Sequence, residues 1–206
     1  MLLIGQFDSP FVRRVGVALE LYGIAYEHRP WSVWRDADKI APHNPLLRVP
    51  TLVLDSGETL LDSAAILDAL DEQVGPERAL LPRSGALRRD GLRVMALANG
   101  LGDKAVSIFY EKRLHPAPSQ QWLSRCETQI RGVLDVLDAD RARRATPYWL
   151  GAELSHADIA VACALRFLTE SSPGAFELAS FPALSAHSAR CESLSVFRKI
   201  SQPFIV

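Results

Sequence analysis

Apolar positions in the first part of the chain switch repeatedly between two periods. Leu2, Leu3 and Ile4 form a short continuous apolar run, which predicts a buried strand. Ser9 then stands where an N-cap belongs and Pro10 at the first helical position, with Phe11, Val15, Ala18 and Tyr22 recurring at helical spacing until Gly23. A second strand is predicted over Ala25–Arg29, followed by a loop or irregular helix that carries Trp31, Trp34 and His43. Thr51–Leu54 reads as a strand, Asp55–Glu58 as a hairpin turn and Thr59–Leu61 as its return. Asp62 and Ser63 open a further helix with the stripe Ile66, Leu67, Leu70 and Val74, which Gly75-Pro76 stops. The predicted order is β-α-β-α-β-β-α.

After Pro76 the pattern changes. The stretch to Gly85 contains proline and arginine without periodicity and reads as a linker. Beyond it every periodic segment is helical: Leu87–Leu114 fits one long helix, and Trp122, Cys126, Ile130, Val133 and Leu137 make a stripe along the next. Mixed elements followed by helices alone predict two domains, placed at residues 1–78 and 87–206 with 79–86 as the linker. A capping box, Ser155 to Asp158 with Leu154 and Ile159 as a hydrophobic staple, predicts a helix start whose role is structural.

Composition narrows the function classes. The chain has 206 residues, 48% of them hydrophobic, and a formal net charge of -1, so it offers no general attraction for phosphate backbones. Arg141, Arg143 and Arg144 are read as a solvated helix end, and nucleic acid as a partner is not expected. The longest purely apolar stretch, Ile159–Leu165, is far short of the ~20 residues needed to span a bilayer, and the amino terminus has no signal-peptide pattern. A cytoplasmic protein with no membrane partner is expected. Cys126, Cys163 and Cys191 are odd in number and lack metal-ligand spacing, which predicts free packing thiols in a reducing compartment and no metal site.

Three constellations carry candidate chemistry. Ser9-Pro10-Phe11-Val12 lies at a strand-to-helix junction, where backbone N–H groups and the helix dipole favour an anion such as a thiolate. There the Ser9 hydroxyl would stabilise a bound sulfur, not attack; the bland alternative is that it only caps the helix. Val49-Pro50 precedes the TLVL strand; residue statistics favour a trans bond, whereas a cis bond would turn the Val49 backbone toward a peptide ligand. Asp62-Ser63 places a carboxylate for an ammonium group and a hydroxyl with a backbone N–H for a carboxylate, or simply caps the helix.

SPFVRR at the first junction, NPLLRVP beyond it and LLDSAAI further on together resemble the glutathione transferase family, in its bacterial, serine-type form. The resemblance covers nearly the whole chain. It implies a thioredoxin-like α/β N-terminal domain with a mixed four-stranded sheet and an all-α C-terminal bundle. It also implies Ser9 as the catalytic residue, Val49 pairing its backbone with the cysteinyl part of glutathione, and Asp62 with Ser63 holding the γ-glutamyl end. Arg48 stands where the family often has lysine near the glycine carboxylate, and Asp62 where it often has glutamate. Glutathione would be the co-substrate of a homodimeric detoxifying enzyme, with a small electrophile held between the domains against the back-half helices and Trp34, Phe109 or Tyr110, residues that equally fit core positions.

Other functions remain in view beside transfer. Thiol reduction needs a sulfur nucleophile near the first helix, where this chain has serine. An isomerase or dehalogenase would use the same activated thiolate, and a non-catalytic glutathione-binding protein would share the fold. A serine hydrolase lacks its Gly-x-Ser-x-Gly context around Ser9. None of His28, His43, His115, His156 and His187 has an evident role.

Overall fold

A computed structural model describes residues 1–204; the last two residues assigned above to the helical domain, 205 and 206, lie outside the described residues. The described chain forms two compact units.

The front unit contains β1 (Leu2–Ile4), α1 (Pro10–Tyr22), β2 (Glu27–Arg29), α2 (Ala37–Ile40), β3 (Thr51–Val53), β4 (Thr59–Leu61) and α3 (Ser63–Val74). These give the predicted order, with α2 the short helix inside the segment read as irregular. The four strands make one mixed sheet in the order β2-β1-β3-β4, parallel between β1 and β2 and antiparallel elsewhere. Leu3 pairs with Leu52 in register, and both are fully buried. With them pack Val12, Val15, Ala18, Leu19 and Tyr22 of α1 and Ile66, Leu67 and Leu70 of α3, a cluster in which each large side chain contributes about 1.5–3 kcal/mol by leaving water.

Helix α1 is buried more completely than its apolar stripe implies. Every residue from Val12 to Leu19 is buried, including Arg13 and Arg14. The reason is a segment far away in sequence: α8 (Ser195–Lys199) and residues 200–204 pack in the front unit, not in the bundle. Arg13 Nε donates to Ile200 O at 2.8 Å and Nη2 to Phe197 O at 2.9 Å, while Lys199 pairs with Glu20 at 2.7 Å. Among the described residues the helical unit runs from Ser84 to Ser193. The expected linker is also partly built in. Leu80 N–H donates to Tyr22 Oη at 3.0 Å and to Asp71 Oδ1 at 3.1 Å, tying the chain after α3 to both front-unit helices. Burial first, and the Asp71 carboxylate second, push the Tyr22 phenol upward, so it stays a donor to Asp71.

The second unit consists of α4 (Gly85–Leu114), α5 (Gln120–Ala142), α6 (His156–Ser171), a 3₁₀ turn at Leu178–Ser180 and α7 (Pro182–Glu192). The buried stripe of α5 is Leu123, Cys126, Ile130, Leu134 and Leu137; Trp122 and Val133, expected in it, sit beside it, and the Trp122 ring lies 5.2 Å from Lys104 Nζ. Helix α6 is buried from His156 through Leu165 with nearly its whole circumference covered. Its capping box is present: the fully buried Asp158 carboxylate accepts from Ser155 N–H at 2.9 Å and from Trp149 N–H at 2.8 Å.

The expected solvated arginine end is corrected. Arg144 donates to Asp90 Oδ2 at 2.7 Å, to Asp140 Oδ2 at 2.9 Å and to Trp149 O at 2.6 Å, and Trp149 Nε1 donates to Asp140 Oδ2 at 2.9 Å. Arg141 lies over the Trp149 ring, and Arg143 alone of the three is largely exposed. Hydrogen bonds from Arg144 hold Asp90 below the ordinary carboxylate range. Burial raises Asp140, but the bonds from Trp149 and Arg144 outweigh it and its pKa also falls.

These shifts fix a pH dependence. Burial lowers the His187 pKa from its ordinary 6.5, outweighing the attraction of Asp158, so the folded state disfavours a proton that the unfolded chain takes up. Stability should decline as pH falls below 6.5, and decline further below 3.8 as Asp90 and Asp140 are protonated. Thermal midpoints measured from pH 7 to pH 3 should follow this course. Asp140→Asn should lower the midpoint at neutral pH and flatten the drop below pH 4, in the range of ~1–3 kcal/mol expected for a charged hydrogen-bonded group.

Candidate functional site

The register of the sheet brings three loops to one edge. Ile4 of β1 pairs with Thr51 of β3, and Thr51 with Leu61 of β4, so the three residues form one row across the sheet. Immediately beyond that row lie the turn from Gly5 to Ser9, the Val49-Pro50 pair and the Asp62-Ser63 pair. All three candidate constellations are therefore neighbours along the same strand ends.

Ser9 occupies the N-cap of α1 in extended conformation, and its O accepts from Arg13 N–H at 2.9 Å. Its Oγ accepts from Val12 N–H at 3.4 Å, a long bond that leaves the hydroxyl only loosely committed to capping. No described residue accepts the Ser9 hydroxyl proton. A polarised hydroxyl above a 13-residue helix dipole is suited to donating to an anion.

The loop before β3 is organised by Asn44, a buried residue that sequence reasoning passed over. Its Nδ2 donates to Arg48 O at 2.8 Å and to Thr51 Oγ1 at 3.1 Å, and its Oδ1 accepts from Leu46 N–H at 3.0 Å. The loop closes on itself and delivers Val49-Pro50, whose peptide bond is cis. Residue statistics favour trans, and the bond instead takes the less common of the two geometries. Among the described residues no group pairs with the Val49 N–H or C=O. Arg48 is exposed on the same loop. Gly5 makes the approach possible: with φ at 127°, a Cβ there would stand 2.5 Å from Val12 Cγ2 and 2.8 Å from Val49 Cβ.

Asp62 caps α3 with a backbone φ of 67° and ψ of 133°, a conformation that a non-glycine residue adopts only under constraint. Its Oδ1 accepts from Ala64 N–H at 2.7 Å, and no other described group engages the exposed carboxylate. Ser63 differs from the expectation of an open hydroxyl. It is 2% exposed, and its Oγ accepts from Arg14 Nη2 at 2.6 Å. A buried guanidinium thus lies under the first turn of α3, adding positive charge where the backbone N–H groups of that turn already favour an anion. Arg14 was visible only as a letter in SPFVRR; nothing in helical spacing marks a buried arginine.

Other expected residues are placed as follows. Trp34 is 60% exposed in the loop before α2. Phe109 and Tyr110, adjacent on α4, are half-buried with ring centroids 5.4 Å apart. All three cysteines are buried free thiols, and burial raises both Cys126 and Cys191, away from the thiolate character that a reactive sulfur needs. His28, given no role from sequence, has its Nε2 2.7 Å from Gly5 O on the turn that leads to Ser9. No helix among the described residues is long and apolar enough to cross a membrane.

Residues 8–73 match the family model described as Glutathione S-transferase, N-terminal domain, and residues 120–190 the one described as Glutathione S-transferase, C-terminal domain. A curated relative, the uncharacterized GST-like protein YibF of Escherichia coli K12, is 32% identical, covering 82% of this chain and 82% of its own length. The chain belongs to the glutathione S-transferase family. Among solved structures it is similar to a glutathione S-transferase of Methylobacterium radiotolerans in complex with glutathione sulfonate, with a TM-score of 0.90 and 27% identity over 100% of this chain and 97% of that one. It is also similar to a glutathione transferase family member of Pseudomonas fluorescens Pf-5 with bound glutathione, with a TM-score of 0.86 and 34% identity over 98% and 99% of the two chains. The maleylacetoacetate isomerase of Mus musculus is 29% identical over 98% of this chain and 92% of its own.

As a member of this family the chain has the fold its elements predicted, a four-stranded mixed sheet with helices followed by a helical bundle. The tight contact around Gly5 makes a direct structural test. Gly5→Ala should destabilise the front unit by about 3 kcal/mol, combining steric overlap with a left-handed backbone. A urea unfolding curve with an unchanged midpoint would show that the turn relaxes away from Val49.

Proposed function

We propose that the chain is a glutathione-dependent transferase in which Ser9 stabilises the thiolate of bound glutathione for attack on a small electrophile. The observation that carries this reading is the shared edge formed by the Ser9 turn, Val49-Pro50 and Asp62-Ser63, three loops offering complementary chemistry to one tripeptide. The Ser9 hydroxyl donates to sulfur at the N-terminus of α1. The backbone of Val49 pairs with the cysteinyl residue, as a strand pairs with its neighbour. The Asp62 carboxylate takes the γ-glutamyl ammonium, while the Ser63 N–H, with Arg14 beneath it, takes the adjoining carboxylate. Arg48 lies on the Val49 loop as a cation for the glycine carboxylate.

In the reaction the thiol proton leaves to solvent, the sulfur forms a bond to the electrophilic carbon, and the leaving group departs with the electron pair of the broken bond. The glutathione and glutathione sulfonate held by the two bacterial neighbours support this choice of co-substrate. The mouse isomerase relative favours a second reading, in which the same thiolate adds to an unsaturated acid and is expelled after rearrangement. Incubation with candidate electrophiles separates the two: a stable thioether marks transfer, and recovered glutathione with a rearranged product marks isomerisation.

Two substitutions test the assignments against each other. Ser9→Ala should lower kcat by about 10- to 100-fold with little change in glutathione affinity, because the hydroxyl favours the charged sulfur over the neutral one. Asp62→Ala should weaken glutathione binding by about 1–3 kcal/mol, read by calorimetry, and change kcat less. The reverse pattern would reject both roles. A cytoplasmic homodimer completes the proposal, in keeping with a family whose members are usually dimers. Leu46 and Leu47 on the Val49 loop are exposed apolar side chains available to a second copy. A solution mass of one chain would reject that part.

A further inference from the structure

The turn that delivers Ser9 is held on two sides by elements far from it in sequence. On the sheet side, Gly5 N–H donates to Arg29 O at 2.9 Å, and His28 Nε2 donates to Gly5 O at 2.7 Å. The His28 ring also stacks on Phe7, with centroids 3.9 Å apart and planes 18° from parallel. Burial lowers the His28 pKa, and the bond to Gly5 O offsets this only in part, so the ring is neutral at pH 7 and the carbonyl fixes its single proton on Nε2.

On the other side stands the segment after α8. Phe7 N–H donates to Gln202 Oε1 at 2.8 Å. Gln202 is brought there by Arg13, which binds the carbonyls of Phe197 and Ile200. Phe7 and Ile200 both rest on the bare backbone of Gly16, where an added Cβ would stand 2.7 Å from Phe7 Cε1 and 2.8 Å from Ile200 Cγ2.

We infer that His28 and Gln202 are positioning residues for the Ser9 hydroxyl, an edge-strand imidazole and an amide from the segment after α8 fixing the Gly5–Ser9 turn at two separate backbone atoms. The inference rests on the thiol-activating role proposed for Ser9. Its physical basis is that the cap bond from Val12 N–H to Ser9 Oγ is long, at 3.4 Å, and does not by itself fix the oxygen. A hydroxyl that must meet a sulfur at hydrogen-bond distance is then only as well placed as the turn that carries it, and errors of ~1 Å in such groups cost up to ~100-fold in rate. Neither residue touches the ligand: His28 acts through Gly5 O, and Gln202 through Phe7 N–H.

The test uses the whole chain with glutathione bound. His28→Phe keeps the ring against Phe7 and removes the donor; Gln202→Met keeps the length of the side chain and removes the acceptor. The bound thiol is titrated by its thiolate absorbance, glutathione affinity is measured by calorimetry, and folding is monitored by near-ultraviolet circular dichroism. Each folded variant should titrate about half to one pH unit higher than the parent protein, about a three- to tenfold loss of thiolate at pH values well below the midpoint, with Kd changed less than about threefold. A structural role alone would lower the folded fraction and leave the titration of the folded form unmoved. If the parent protein depresses the bound thiol and both variants do the same to the same extent, the positioning role is overturned while thiol activation stands. If the parent protein leaves the thiol as it is in free glutathione, thiol activation falls and the inference with it. The two substitutions lie on separate elements, so one that prevents folding leaves the other to decide.

Discussion

The antiparallel register of β1, β3 and β4 is the constraint on which the candidate site depends. Leu3 and Leu52 pair across the sheet with both side chains in the front-unit core, and a shift of one residue would turn each to the opposite face. The same register lines up Ile4, Thr51 and Leu61 at the strand ends. Burial of leucine therefore determines where Ser9, Val49 and Asp62 emerge. The geometry that makes the candidate edge is a by-product of the pairing that makes a core.

Charge inside the fold is used to fasten loops. Burying a guanidinium is costly unless its donors find acceptors, and in each case here acceptors come from a different part of the chain. Arg13 takes the carbonyls of Phe197 and Ile200 and so ties α8 and its following turn to α1. Arg14 takes the Ser63 hydroxyl and links α1 to the start of α3. Arg144 gathers Asp90, Asp140 and the Trp149 carbonyl at the end of α5. Two of these three arginines converge on the front-unit site, one from beneath α3 and one through the segment that supports Phe7.

Family membership and reaction are separate matters for this chain. Transferase and isomerase names both occur among its relatives, and the thiolate role proposed for Ser9 would serve either reaction. What the front unit would contribute under the proposed function is common to them: a helix N-terminus, a hydroxyl and an edge for a peptide. The step that follows depends on the second substrate.

The sequence alone determined the element order, because hydrophobic period and capping residues are local: Ser9-Pro10 before α1, Asp62 before α3 and Ser155 with Asp158 around the start of α6 all stand where their spacing put them. The three candidate motifs were legible for the same reason, each being a short run at an element boundary. Arg14, Asn44, His28 and Gln202 were not legible, since a buried arginine, a loop-closing amide or an edge histidine has no pattern of its own until its partner is in place. The packing of residues 194–204 against α1 likewise followed from contacts across more than 180 positions of sequence, such as that between Arg13 and Phe197. Local propensity fixes which segments are helix or strand; only the folded chain decides which polar atoms are brought within 3 Å of one another, and that decision sets the site.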